Sequence, residues 1–259
     1  MGHMDHFSAG WVTPVLSYAM ACVGSALGLR CTVRALEADG ASKRNWLFMA
    51  SIAIGSGIWT MHFIAMMGFA VDGTPIRYDV PLTVLSLLMA VAVVGAGVFT
   101  AGYGRSRVRA VTLGGIGTGL GVAAMHYTGM AALNLNATVD YDPTLVIASV
   151  IIAVVAATAA LTLTLIVRGP VLATLAALVM GLAVVSMHYT GMWAVSISLA
   201  PSSATLSGAT STEFIFPLAV VLGSFLFLTS AYVALSPTGK RHESAAAAEL
   251  LRQVELSTA

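Results

Sequence analysis

Hydrophobic residues gather in seven long runs, at about 11–33, 46–69, 80–101, 110–133, 144–167, 171–195 and 213–235. Each run has about the twenty residues that a helix needs to cross a bilayer. Leu, Val, Ala and Ile follow one another within them without the alternation of barrel strands, so the pattern predicts helices. Composition points the same way, with 58% hydrophobic residues, 9% charged residues and a mean hydropathy of +0.90. Soluble domains carry about a quarter charged residues. The chain is therefore predicted to be an all-α membrane protein with seven transmembrane helices and the lipid bilayer as its first partner.

Basic residues set the orientation. Arg30, Arg34, Lys43 and Arg44 fall around the first connection, and Arg105, Arg107 and Arg109 lie in the third. Arg168 follows in the fifth, and Lys240, Arg241 and Arg252 come after the seventh run. Arg77 alone lies on the other side. Positive residues collect in the cytoplasm, which predicts an external N-terminus, a cytoplasmic C-terminus and a multi-pass protein of the inner (cytoplasmic) membrane. The net charge of +1 offers no basic face for nucleic acid. Cys22 and Cys31 lack zinc-site spacing and read as packing residues. Residues 1–4 read as a cloning scar, and no cleavable signal peptide is evident.

One motif recurs inside three of the runs. It reads Met61-His62-Phe63-Ile64-Ala65-Met66, Met125-His126-Tyr127-Thr128-Gly129-Met130 and Met187-His188-Tyr189-Thr190-Gly191-Met192, with the histidines 64 and 62 residues apart. A second feature keeps this period: Tyr78-Asp79-Val80-Pro81 and Tyr141-Asp142-Pro143 open the third and fifth helices. The first repeat has only His6-Phe7 at that position. The seven-helix domain, 5–235, thus divides into three tandem two-helix repeats, about 7–70, 78–133 and 141–195, plus one extra helix, 213–235. Repeats in one orientation predict a pseudo-threefold bundle rather than an inverted-repeat transporter.

The histidines lie 16, 16 and 17 residues into their helices, about 24 Å from the inner boundary at the rise of an α-helix. Three imidazoles at one depth can converge. His62, His126 and His188 are the candidate metal ligands. Met66, Met130 and Met192, four residues later, share their helical stripe. Met61, Met125 and Met187 are turned away by about 100°. Imidazole suits copper, zinc, iron or nickel, and thioether sulfur favours Cu(I), so copper fits best, with zinc or haem as alternatives. A lone methionine is ordinarily flexible packing, and a lone buried histidine ordinarily bonds a helix neighbour; three related copies point to shared ligation.

Asp79 and Asp142 could orient an imidazole or cap helices three and five. Tyr127 and Tyr189 could support the site or belong to an interfacial aromatic belt. Asp5 and His6 fall near the same layer. Gly115 with Gly119, and Gly117 with Gly121, form small-residue stripes in helix four, and Gly55 and Gly57 occupy the matching stretch of helix two.

The three motifs and the two Tyr-Asp helix starts resemble the MHYT family of bacterial integral membrane domains over about residues 5–235. The resemblance implies seven helices, motifs near the outer face of the cytoplasmic membrane, bound copper, and sensing of oxygen, carbon monoxide, nitric oxide or redox state. By position it implies His62, His126 and His188 as ligands, with Met66, Met130 and Met192 as candidates. Family members often continue into cytoplasmic GGDEF and EAL domains that make and degrade cyclic di-GMP. Here a short tail, 236–259, follows helix seven, with one short helix expected at 243–256. The expected output is therefore a separate cytoplasmic signalling protein, unless the chain is truncated.

The leading expectation is a metal-binding sensor of a diatomic gas or of redox state. A copper-dependent membrane oxidase or oxygenase would use the same three histidines. A haem-binding sensor is the third reading. A transporter lacks a polar path continuing inward from the histidines. An opsin is excluded because Lys43 and Lys240 both lie outside the runs.

Overall fold

The computed structural model describes residues 4–5, 8–167, 169–199 and 205–235. Seven helices in it are long and apolar enough to cross a membrane. They are α1 (Val12–Glu37), α2 (Gly40–Met66), α3 (Val80–Tyr103), α4 (Arg107–Ala131), α5 (Pro143–Ile166), α6 (Pro170–Trp193) and α7 (Phe216–Leu235). A π-helical turn, Ser211–Ile215, leads into α7, with Thr210 and Glu213 forming a capping box.

Local chemistry explains the helix starts. Proline occupies the first turn of α3, α5 and α6, where its missing N–H costs nothing. Gly40, at φ +55°, makes the tight reversal between α1 and α2. Several basic residues expected in connections lie instead on helix ends, Arg30 and Arg34 in α1 and Lys43 and Arg44 in α2. Arg34 donates to the Val233 carbonyl at 2.9 Å and stacks over Trp46, so helical backbone continues past the apolar run.

Helices α1 to α6 form a closed ring, each packing on the next and α6 returning to α1. Helix α7 stands outside it, against α1 and α2. Close approach depends on a glycine seven residues before each motif histidine. A Cβ on Gly55 would stand 2.6 Å from the Val91 Cα, and one on Gly181 2.6 Å from the Cys22 Sγ. One on Gly119 would strike the Val154 Cα. These glycines set helix separations that side chains would widen. The expected stripes are only half realised. Gly115 and Gly119 both face α5, whereas Gly121 packs on Val93 of α3 and Gly117 meets open space. Two residues turn a helix by about 200°, so Gly117 faces away from the α5 contact that Gly115 and Gly119 share.

The sequence pattern predicts no strands, yet among the described residues six short ones form beyond the ends of the motif helices. β1 (Met4–Asp5) pairs with β2 (Ala70–Val71), β3 (Arg77–Tyr78) with β4 (Leu133–Asn134), and β5 (Ala137–Tyr141) with β6 (Val195–Leu199), all antiparallel. Each ribbon joins the segment before a helix pair to the segment after it, so every pair is closed by its own clasp. In β6, Val195 and Ile197 point inward while Ser196 and Ser198 face out, the alternation of a half-buried strand.

Candidate metal centre

His62, His126 and His188 lie near the ends of α2, α4 and α6, on the faces turned to the bundle axis. All three are buried. Their Nδ1 atoms meet in a triangle: 3.0 Å between His62 and His188, 3.2 Å between His126 and His62, and 3.4 Å between His188 and His126. No other group of three or more His, Cys, Asp or Glu side chains suited to a metal occurs among the described residues.

That triangle cannot satisfy itself. Each neutral imidazole Nδ1 offers either one proton or one lone pair. Three such atoms can make at most one complete donor–acceptor match, and the third duplicates a role already filled. A central cation would receive three lone pairs at once. An ion bound at about 2.0–2.1 Å to three imidazoles needs nitrogens roughly 3.3–3.6 Å apart, close to the observed edges. The donor set therefore fits a metal.

The motif aromatics hold the rings. Phe63 packs edge-on against His62 with centroids 4.7 Å apart, Tyr127 against His126 at 4.8 Å and Tyr189 against His188 at 5.0 Å. The contact is made by the ring, so phenylalanine serves as well as tyrosine. The Tyr127 hydroxyl is shared with the Ser149 Oγ at 2.8 Å. Tyr78 and Tyr141, from the helix-start motifs, pack in turn on Phe63 and Tyr127.

Two glycines are part of the site, and sequence reasoning passed over them. A Cβ on Gly129 would stand 2.6 Å from the His62 Nε2, and one on Gly191 2.5 Å from the His126 Nε2. The glycine of each later motif makes room for the imidazole of the preceding repeat. Their signal in the sequence is the shared third place after histidine. The Nε2 atoms of His62 and His126 are themselves buried without a hydrogen-bond partner. With Nδ1 engaged, Nε2 keeps the ring proton, and each orphaned donor costs about 1–3 kcal/mol.

Met66, Met130 and Met192 come together in one buried apolar cluster with Phe69, Val71, Val195 and Ile197. This layer, backed by the ribbons, covers the histidines on the side where the motif helices end. Met61, Met125 and Met187 belong to the main core instead.

Asp79 and Asp142 bond to backbone rather than to imidazole. The Asp79 carboxylate accepts from the Leu82 N–H at 2.8 Å, and that of Asp142 from Thr144 and Leu145 at 2.7 and 3.3 Å. These N–H groups hold the Asp142 carboxyl below its usual pKa. The backbone N–H groups of Asp79 and Asp142 donate to the Ala132 and Ala194 carbonyls, each at 2.8 Å, tying each helix start to the end of a motif helix. Burial raises the pKa of the Tyr78 phenol, which keeps it neutral. Asp5 sits in β1, opposite Ala70. His6, Arg168 and the 236–259 tail lie outside the described residues.

Seven apolar helices and a threefold set of buried histidines define a multi-pass membrane protein built from tandem repeats. The family model for MHYT, the bacterial signalling protein N terminal repeat, matches residues 55–114 and 119–177. Each match opens on the glycine seven residues before a motif histidine. The chain belongs to the MHYT family. It is 38% identical over 193 residues to the bifunctional diguanylate cyclase/cyclic di-GMP phosphodiesterase MucR of Pseudomonas aeruginosa, covering 73% of this chain and 28% of that protein. It is 36% identical over 190 residues to the cyclic di-GMP phosphodiesterase NbdA of the same organism, covering 71% and 24%. With the signaling protein YkoW of Bacillus subtilis it shares 30% identity over 196 residues, covering 69% and 23%. The chain thus spans about a quarter of the length of these relatives. No solved structure matches it.

Proposed function

We propose that this protein is the metal-binding unit of a membrane sensor. It holds copper at His62, His126 and His188 and responds to a diatomic gas (oxygen, carbon monoxide or nitric oxide) or to redox state. The observation that carries this reading is the convergence of three buried Nδ1 atoms within 3.4 Å of one another. Copper is favoured because the donors are neutral imidazoles in an apolar setting beside a methionine layer. When bound, it would supply a one-electron couple and a coordination position for a small ligand. The chain holds and orients the imidazoles and excludes water. Met66, Met130 and Met192 are proposed to tune the site or to ligate from the layer above.

The distribution of Lys and Arg supports an external N-terminus, a cytoplasmic C-terminus and residence in the inner membrane. The site then lies toward the external face, and its response travels along α2, α4 and α6 to the basic inner ends of the bundle. The names of two relatives point to cyclic di-GMP turnover as the output, carried by a cytoplasmic signalling partner. Signalling of this kind requires two bundle states with different affinity for the ligand.

The same donors could serve an oxidase. The methionine layer and the ribbons over it speak for a diatomic ligand rather than a bulky substrate. Haem is disfavoured because its macrocycle cannot enter between nitrogens this close. Elemental analysis with optical and electron paramagnetic resonance spectra of the purified protein tests the assignment. One copper per chain, lost in His126→Ala, is expected. A protein without bound metal, or one with an intense Soret band, would overturn it.

A further inference from the structure

A cavity of about 60 Å³ lies inside the helix ring beneath the histidines. Ile58, Val122 and Val184 line it, each four residues before a motif histidine, and Ile54, Thr118 and Met180 line it one turn further in. These positions share the histidine face of their helices, so the cavity abuts the imidazole layer from the inner side. Only Ser25 and Thr118 bring hydroxyl groups to its wall. On this measure a water needs about 10–15 Å³ and two to four polar partners. The space is ample and the partners are too few, so the cavity stays dry. The Thr118 hydroxyl is buried against Gly97 of α3 without a hydrogen-bond partner, so it offers the cavity no open polar contact.

The wall toward the membrane is thin. Helix α5 supplies Ala157 and Ala160, both half-buried, and only 17% of its most apolar stretch is buried within the protein. One helix with methyl-sized side chains thus separates the void from lipid, whereas the opposite approach to the histidines is closed by the methionine layer. Small apolar molecules concentrate in the bilayer core.

We infer that this cavity is a receiving chamber for a diatomic gas, which enters from the bilayer beside α5 and reaches the imidazole layer from below. The inference rests on the sensor reading for its physiological ligand, but the chamber itself can be tested without metal. In metal-free protein in nanodiscs with ¹³C-methyl methionine, xenon under pressure should shift the Met180 and Met187 methyl signals and leave those of Met66, Met130 and Met192 in place. Ala157→Leu should abolish the shift. In copper-loaded protein the same substitution should slow carbon monoxide rebinding after photolysis several-fold while copper content is unchanged.

Absence of a xenon shift, an equal shift at all methionines, or a shift that survives Ala157→Leu would overturn the chamber. Unaltered rebinding in a variant that excludes xenon would overturn the entry route. Failure to load copper would sink the sensor reading and leave the xenon result to stand alone. Should Ala157→Leu not fold, Val122→Leu fills the same space from α4.

Discussion

The first repeat differs from the other two where one would least expect it, inside the motif. Its helix α2 carries Phe63, Ile64 and Ala65, against Tyr, Thr and Gly in both α4 and α6. It is also the most enclosed: 72% of its most apolar stretch is buried, against 50% for α4 and 33% for α6. Helix α7 packs on it and, among the described residues, has no counterpart over α4 or α6. A hydroxyl at that depth costs free energy unless it is bonded, and Phe63, Ile64 and Ala65 bring none. Yet the His62 Nδ1 lies 3.2 Å from that of His126 and 3.0 Å from that of His188, no farther than the 3.4 Å between those two. The imidazole position and the ring beside it are therefore the common requirement, and the tyrosine hydroxyl is not.

Removing a donor should produce the largest effect. His126→Ala is expected to abolish metal binding, read by elemental analysis, with His62→Ala and His188→Ala equivalent. Unequal losses would show that the triangle is not a single site.

The glycine position sharpens the comparison next. Gly129→Ala places a methyl group against the His62 Nε2, so the ring must shift. Metal affinity should fall roughly tenfold to a hundredfold, the range for groups that orient a ligand. Thermal stability should change little, since the displaced atom ends a side chain. Ala65→Gly should leave affinity unchanged. Equal behaviour of the two variants in a metal-competition titration would remove the glycines from the site.

Smaller still is Tyr127→Phe, which copies the first repeat. It forfeits the bond to Ser149, about 1 kcal/mol of stability, with metal affinity retained. Asp79→Ala should cost about 1 kcal/mol through loss of the α3 cap, again without changing affinity; a large affinity loss would return Asp79 to the site.

The smallest effect is one of pH. The Asp142 carboxyl titrates below its usual value of 3.8 because the Thr144 and Leu145 N–H groups favour its charged form. Its contribution is complete above that value and is lost as pH falls through the lower folded value. Asp142→Asn should lower the melting temperature slightly at neutral pH, where the charge contributes, and flatten the acid limb of a thermal-melt series below about pH 4.

Much of the architecture was legible from residue order. Seven apolar runs of bilayer length became seven helices, because backbone groups in lipid must bond within their own segment. Span ends were read less well, since apolar content marks the lipid boundary and not the helix end; α2 begins at Gly40, before its apolar run. The ribbons escaped notice because five-residue strands such as Val195–Leu199 merge into the apolar run before them, and a two-residue strand leaves no periodic signal. The paired reading of Gly117 and Gly121 failed because spacing along one helix does not say which neighbour it meets.

The primary structure by itself determined the three equivalent histidines, their common depth and the apolar span that carries each, because periodicity and hydropathy are properties of a linear string. Only the folded bundle decided that Nδ1 rather than Nε2 faces the axis, that Gly129 and Gly191 serve the preceding repeat's imidazole, and that a dry cavity lies beneath. Those relations join atoms more than sixty residues apart, and ring closure of six helices fixes them where no local preference can.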